Sequence, residues 1–570
     1  MRADLVIKGG TVVDGSGRAP FEADVVVSGD RIAALGRYDG PAGEVIDARG
    51  QVVTPGFIDI HTHLDAQLTW DPLGAPASSH GVTSVVVGNC GVGFAPCREA
   101  DRDYLMFLME GVEDIPRAAL KQGMRWGWES FPDYLRFLDA QPLGMNVGAH
   151  LTHAPLRVFA MGERGATDAP PSDAELAVMQ AAVREAIAAG GLGFSTGRTT
   201  MHRTPAGDPV PGTFADRREL DALVAPLAEL GAGVLQIIPY GSAGEAADGF
   251  ARDLEWMVPV ARAIGRPVSV GIAAPRQYPD GWRDSLAAIA AATRTGARIV
   301  PQVAPRSIGM LLGVGVISPL FLFPEAADLL ERPLDEVRAA LRQPAVRARL
   351  AASFDPSGEI LAGLASTSEV FPLERDGVTE YETTRERSVA ARAERRGVSA
   401  GEVILDALVA SDLRGLLLVA LYNADMDAAR EMITHPLTVP GLGDAGAHTS
   451  QTCDVGVATF LLGYWVRHRH ALSLEAAIRK LTFEQALTWG IPQRGLLRPG
   501  WFADVNVIDM SAIDLVLPEV RHDLPGGAPN LSQRARGYTA TIVNGQVLMR
   551  GGVHAGALPG RVLRNETVAA

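Results

Sequence analysis

The sequence predicts an α/β protein: a (β/α)8 barrel joined to a small β-sandwich domain formed from both chain termini. Three observations carry that expectation. Between residues 56 and 496, short apolar runs ending in polar or glycine residues alternate with helical stretches. The flanking segments, 1–55 and 497–570, read as short strands punctuated by glycine turns. A chain of 570 residues is also too long for one small domain, so a large barrel plus a second unit suits its length.

In chain order, 4–7, 11–13, 23–28, 31–35 and 52–54 are β-rich, broken at Gly9-Gly10, Gly15, Gly29-Asp30 and Gly50. From Phe57 the apolar runs are 56–60, 82–87, 145–149, 191–194, 233–238, 267–272, 298–303 and 416–421. The clearest helix spans 172–189. Ser172 and Glu175 have capping-box spacing, Leu176, Met179, Val183 and Ile187 recur at helical intervals, and Gly190-Gly191 stops it. The β pattern returns at 503–508, 539–543 and 546–549, with turns at Asn544-Gly545 and Gly551-Gly552. An insertion is expected around 310–400. Its most charged stretch, 376–396, reads as solvated, with a substrate lid as the alternative.

Composition narrows the function. A net charge of −14 argues against a nucleic-acid partner and repels polyanionic substrates at long range. Cys90, Cys97 and Cys453 are too few for a disulfide framework, which points to a reducing cytoplasm. The N-terminus has no apolar core of a signal peptide. No stretch is apolar enough to span a bilayer, and the nearest, 308–323, is broken by glycine and proline. The expected partner is a small-molecule substrate, with no nucleic acid and no membrane; a homo-oligomer is left open.

Three motifs can carry chemistry. In PGFIDIHTH, His61 and His63 sit two apart at the end of a buried run, so both imidazoles project to one side and can reach one divalent ion. The alternative is two ordinary surface histidines. In GVTSVVVGNCGVGFAP, a β-branched run delivers Cys90 into a glycine-rich turn, where a thiolate can bind metal or a thiol can simply be buried. In GLGDAGAH, Asp444 lies where a late barrel strand should end. It can be a metal ligand and general base, or a turn residue; His448 can orient substrate or pack.

With these motifs, the chain resembles the amidohydrolase superfamily and, within it, the D-aminoacylase (N-acyl-D-amino-acid deacylase) family. DLVIKGGTVVDGSG and GDRIAALG open the chain, PGFIDIHTH and GVTSVVVGNCGVGFAP follow at the family's spacing, and LTHAPLR matches a GH-x-x-LR segment. DAELAVMQAAVREAIAAGGLGFSTG resembles the family's helix and STG element, GLGDAGAH its SDG segment, and RGLLRPGWFADVNVID with TATIVNGQV returns to the sandwich. The resemblance implies hydrolysis of the amide between an acyl group and a D-amino acid with zinc, as one or two ions, another divalent transition metal being possible. It implies His61, His63, Cys90 and Asp444 as metal ligands, with Asp444 also the general base.

The departures matter as much. The family supplies two further histidines, in segments like THMR and SHHK; here 233–240 and 268–275 contain none. None of the three lysines, Lys8, Lys121 and Lys480, lies at a plausible barrel-strand end to bridge two ions. Either one ion is held by His61, His63 and Asp444 with Cys90 near, or His150, His153 or His202 has moved in. His153 matches the family's GH position and is expected to line the site; His202 is a ligand or substrate contact. The arginine of THMR is also missing, so a substrate carboxylate needs Arg157, Arg198, Arg203 or Arg306. The expected activity is hydrolysis of an N-acyl amino acid or related small amide. The alternatives are a cyclic amide, ureide or lactone, or an inactive barrel with a binding role.

Overall fold

The computed structural model describes residues 2–355, 366–375 and 378–565. Eight parallel strands form one sheet: β1 (Phe57–Asp59), β2 (Val82–Val87), β3 (Asn146–Thr152), β4 (Gly193–Gly197), β5 (Val234–Ile238), β6 (Val268–Gly271), β7 (Ile299–Val303) and β8 (Val439–Pro440). Each pairs with its successor. The sheet closes past the ends of β8 and β1. There Thr62 pairs with Ala445, His63 N donates to Ala445 O at 2.8 Å, and Asp444 N donates to His61 O at 3.1 Å. That closure brings residues nearly four hundred positions apart onto neighbouring strand ends.

Helices cover the outside. Asp173–Ala188 is capped as its sequence implies, Ser172 and Glu175 exchanging both capping-box bonds, and it packs on Arg217–Leu230. Inside, Ile58, Val86, Val234 and Val439 meet Trp489, whose indole N–H donates to His150 Nε2 at 3.0 Å.

The chain ends share a second, nine-stranded sheet. Val52–Pro55 lies between Ala3–Val12 and Val505–Ile508, so the two termini are joined through Val53, which pairs with both Val12 and Val507. One buried cluster takes Ile7, Val25 and Val53 from the start of the chain and Val505, Val507 and Ile542 from its end. Gly9, at φ 68°, carries the irregularity that lets Ala3–Val12 change partners along its length.

Two elements depart from the sequence reading. Ala42–Asp47 is a strand, paired in parallel with the start of Ala3–Val12, although only Ile46 among its residues is buried. A strand exposed on both faces shows no alternation, so only its partner specifies it. The run at 416–421 is a strand, Leu417–Tyr422, but it does not join the barrel. It pairs antiparallel with Ile308–Leu312 and Val370–Pro372 in a side sheet between β7 and β8. An apolar run states that a strand is buried, not which sheet buries it. The barrel's last strand is only Val439–Pro440, too short to show a pattern. Part of the charged stretch 376–396 lies outside the described residues; Val389–Arg396 is helical. Among the described residues no helix is long and apolar enough to cross a membrane.

Candidate metal centre

Beyond β1, the pairing of Thr62 with Ala445 holds the chain, and His61 and His63, both 1% exposed, bring their Nε2 atoms to the same Cys90 sulfur. After β2 the chain turns sharply through Gly88-Asn89-Cys90-Gly91. Gly88 has φ 76°, and a Cβ there would lie 2.5 Å from His150 O, so only glycine lets the turn pass this close to β3. Cys90 N donates to Gln236 Oε1 at 2.9 Å, tying the turn to β5. Cys90, Leu442, Asp444 and His448 all hold positive φ, between 45° and 58°. Each such residue costs roughly 1–3 kcal/mol and persists only where its surroundings over-determine it, a pattern concentrated at functional sites.

The donor atoms converge. Cys90 Sγ lies 3.2 Å from His61 Nε2 and 3.7 Å from His63 Nε2. Asp444 Oδ1 lies 3.3 Å and 3.8 Å from the same nitrogens. Four ligands around a tetrahedral zinc, with bonds of about 2.0–2.3 Å, stand about 3.3–3.7 Å apart. The separations of the two imidazole nitrogens from Cys90 Sγ and from Asp444 Oδ1 lie close to that spacing. Among the described residues, His61, His63 and Cys90 form the one trio of His, Cys, Asp or Glu whose donor atoms all lie within 4.8 Å of one another.

Supporting groups fix the rings. Gln302 Nε2 donates to Ser269 Oγ at 2.9 Å, leaving Oε1 to accept from His61 Nδ1 at 2.8 Å. His61 Nε2 therefore keeps its lone pair toward Cys90 and Asp444. His63 Nδ1 faces Glu113 Oε1 at 3.5 Å, and both atoms are buried without a hydrogen bond. Glu113 ends helix Arg102–Glu113, whose last carbonyl accepts from His448 N.

Burial sets the protonation of these groups. It pushes His61 down to about 4, against the Gln302 hydrogen bond, and His63 well below its usual value, helped by repulsion from His61. Both imidazoles are therefore uncharged at neutral pH, as metal ligands must be. Burial pushes the Cys90 thiol well up, with Glu113 and Asp444 adding to it, and raises the Asp444 carboxyl against the opposing pull of His448. A cation at the cluster opposes these rises by favouring thiolate and carboxylate, so the donor set fits a divalent ion.

Above the cluster lies a cavity of about 350 Å³, lined by His61, His63, Cys90 and Asp444 and also by His202 and His448. The ends of β5 and β6 contribute Ile238 and Gly271 to its lining, in place of the histidines expected in the segments 233–240 and 268–275. A larger depression, about 980 Å³, lies between Val314, Leu329, Asp412 and Val520, away from these donors.

Two expected contacts are corrected by their positions: neither His153 nor Arg157 lines the cavity of the donor cluster. His153 bridges Thr196 Oγ1 (2.9 Å) and Glu219 Oε1 (3.0 Å), and Arg157 Nη1 reaches Glu219 Oε2 at 2.6 Å, all three buried. Arg157 Nη2 also serves the carbonyls of Thr167 and Ala169. Removing one member of such a buried pair leaves an uncompensated charge. Arg157→Ala should therefore lower unfolding free energy by about 3–5 kcal/mol in urea titration; unchanged stability with a raised KM would return Arg157 to the substrate. His150, spent on Trp489, is likewise not in the cavity lining.

Sequence reasoning missed Glu113, Gln236 and Gln302. The two glutamines had a signal, each a lone polar residue in the middle of an apolar strand run. Glu113 had none, since it joins the site only through the helix end that carries it.

The amidohydrolase family model matches residues 44–549. An N-acyl-D-glutamate deacylase from Alcaligenes xylosoxydans xylosoxydans is 30% identical over 99% of this chain and 97% of its own. An N-acyl-D-aspartate deacylase from the same organism is 29% identical over 99% and 95%. Among solved structures, N-acyl-D-glutamate deacylase from Bordetella bronchiseptica, complexed with zinc and a phosphonate mimic of the tetrahedral intermediate, superposes with TM-score 0.66 at 26% identity, covering 99% of this chain and 100% of that one. A D-aminoacylase structure concerned with its binuclear metal center gives TM-score 0.66 at 25% identity, with the same coverage. With its barrel, its two-ended β domain and this donor cluster, the chain belongs to the amidohydrolase family, among the D-aminoacylase-like members.

Proposed function

We propose that this chain is a metal-dependent hydrolase that cleaves the amide bond of a small N-acyl amino compound, with one divalent ion held by His61, His63, Cys90 and Asp444. The observation that supports it most is the spacing of those four donors, 3.2–3.8 Å between the imidazole nitrogens and Cys90 Sγ or Asp444 Oδ1. Zinc suits this set of nitrogen, sulfur and oxygen donors, and another divalent transition metal is the alternative. One ion is favoured over two because the ends of β5 and β6 offer Ile238 and Gly271.

When bound, such an ion supplies Lewis acidity: it polarises an acyl carbonyl and brings the pKa of a bound water toward ~7. The rest falls to the chain. Gln302 orients His61, and Glu113 is placed to do the same for His63. Asp444, part-exposed to the cavity, takes a proton from the attacking water and delivers it to the leaving nitrogen. The C–N bond breaks, the water oxygen stays on the acyl carbon, and a carboxylic acid and an amine depart. His202 and His448 line the same cavity and contact the substrate. The free, buried cysteines suit a reducing compartment, and a cytoplasmic location is proposed on that ground.

Elemental analysis tests the reading directly: about one transition-metal ion per chain, with hydrolysis of an N-acyl amino compound lost on chelation and restored by zinc or manganese. Only trace metal in the purified protein would favour a binding barrel instead. Glu113→Gln should weaken metal retention in a chelator competition, by up to the roughly 10- to 100-fold that disturbing a group behind a ligating histidine costs. Unchanged retention would reduce Glu113 to packing.

A further inference from the structure

The loop that carries Asp444 is held by the far end of another helix. Residues 441–452 follow β8, and Asp444, His448, Gln451 and Thr452 from this loop line the cavity. Opposite stands Asp114, which follows helix Arg102–Glu113 and lines the same cavity. Asp114 Oδ2 accepts from Ser450 N at 2.9 Å and from Ser450 Oγ at 2.8 Å. Its carbonyl oxygen accepts from Thr449 Oγ1 at 2.8 Å, and the carbonyl of Glu113 accepts from His448 N. Three successive loop residues are thus tied to residues 335 or 336 positions earlier.

The loop needs such ties. Leu442, Asp444 and His448 sit at φ 58°, 45° and 49°, and Asp114 itself at 49°. A non-glycine residue gains free energy by leaving that region, so the loop keeps this shape only while its anchors hold. Further ties run between backbone atoms: Asp444 N to His61 O at 3.1 Å, Leu531 N to Thr449 O at 2.7 Å and Leu311 N to Gln451 O at 2.6 Å. Asp114 adds a side chain to them. Within the loop, Ala447 N donates to Asp444 O at 3.0 Å, so a displacement at 448–450 reaches Asp444 through a single turn.

Resting on the deacylase reading above, in which Asp444 is the general base, we propose that Asp114 is a positioning residue for the hydrolysis. Its carboxyl oxygen fixes the loop and, with it, the place where the Asp444 carboxylate meets the attacking water. Asp114 acts through Asp444, and a base misplaced by about 1 Å can lose roughly 100-fold in rate.

The test uses the full-length, zinc-loaded protein and N-acetylleucine as its better enantiomer. Asp114→Ala should lower kcat by roughly 10- to 100-fold, with KM nearly unchanged and the ion retained in a chelator competition, because His61, His63 and Cys90 are untouched. Asp114→Asn, whose amide oxygen still accepts both Ser450 bonds, should recover most of that loss. A residue that only stabilises the fold would lower the unfolding midpoint and leave kcat per folded chain alone. Undiminished kcat in Asp114→Ala overturns the proposal, as does a fall that tracks loss of the ion, or an asparagine variant as slow as the alanine. If Asp114→Ala does not fold, Ser450→Ala takes its place: kcat should fall by roughly 2- to 10-fold, the weight of one hydrogen bond, and no fall overturns it. If the unmodified protein hydrolyses neither enantiomer, the deacylase reading fails for this compound and hydrogen exchange decides instead. Amides of 444–451 should then exchange roughly 10-fold faster in whichever variant folds, while the barrel strands keep their protection; equal exchange overturns the clamp.

Discussion

Replacing His61 with alanine should leave a folded chain that has lost its metal and its hydrolysis together. His61 Nε2 lies 3.2 Å from Cys90 Sγ and 3.3 Å from Asp444 Oδ1, so it is the imidazole nearer to both other donors. Turnover should fall by more than ~100-fold, beyond the 10- to 100-fold that losing a supporting partner costs a metal site. The fold should survive. The substitution strands Gln302 Oε1 and opens a small void, and an unsatisfied buried acceptor costs about 1–3 kcal/mol against the 5–15 kcal/mol of a typical domain. Metal content, kcat and the cooperativity of unfolding read the three consequences separately. Full metal occupancy with undiminished turnover would end the assignment of His61.

Asp444→Asn should separate holding the ion from moving the proton. The side chain keeps its size, and asparagine is among the residues that adopt the left-handed region most readily, so φ 45° adds little strain. An amide cannot take a proton from water. kcat should fall by about 10²–10⁴-fold, the usual contribution of a positioned general base, while His61, His63 and Cys90 retain the ion. Loss of the ion would make Asp444 chiefly a ligand, and undiminished kcat with the ion in place would remove it from proton transfer.

The two histidines were legible because strand geometry is local: residues two apart share a side wherever the strand lies. Cys90 was visible as a cysteine in a glycine turn, but not its distance to either imidazole. The placing of His153 and Arg157 in the site failed for a different reason. The helix His153–Met161 that follows β3 turns both toward Glu219, at the start of another helix 62 residues after Arg157. Likewise, the run at 416–421 announced a buried strand but not its partners, and Ala42–Asp47 announced nothing because both its faces are largely exposed.

Periodicity, caps and turn residues act over a few positions. The sequence by itself therefore determined the alternation of strand and helix, the β character of both ends, the capped helix at 173–188 and the same-side pairing of His61 with His63. Tertiary structure alone decided that Asp444 meets His61, that Glu113 stands behind His63, and that Arg157 is buried against Glu219 and not in the cavity lining. Those facts depend on barrel closure, where backbone pairing of Thr62 with Ala445 sets two distant strand ends side by side, and no local pattern records which distant residue arrives there.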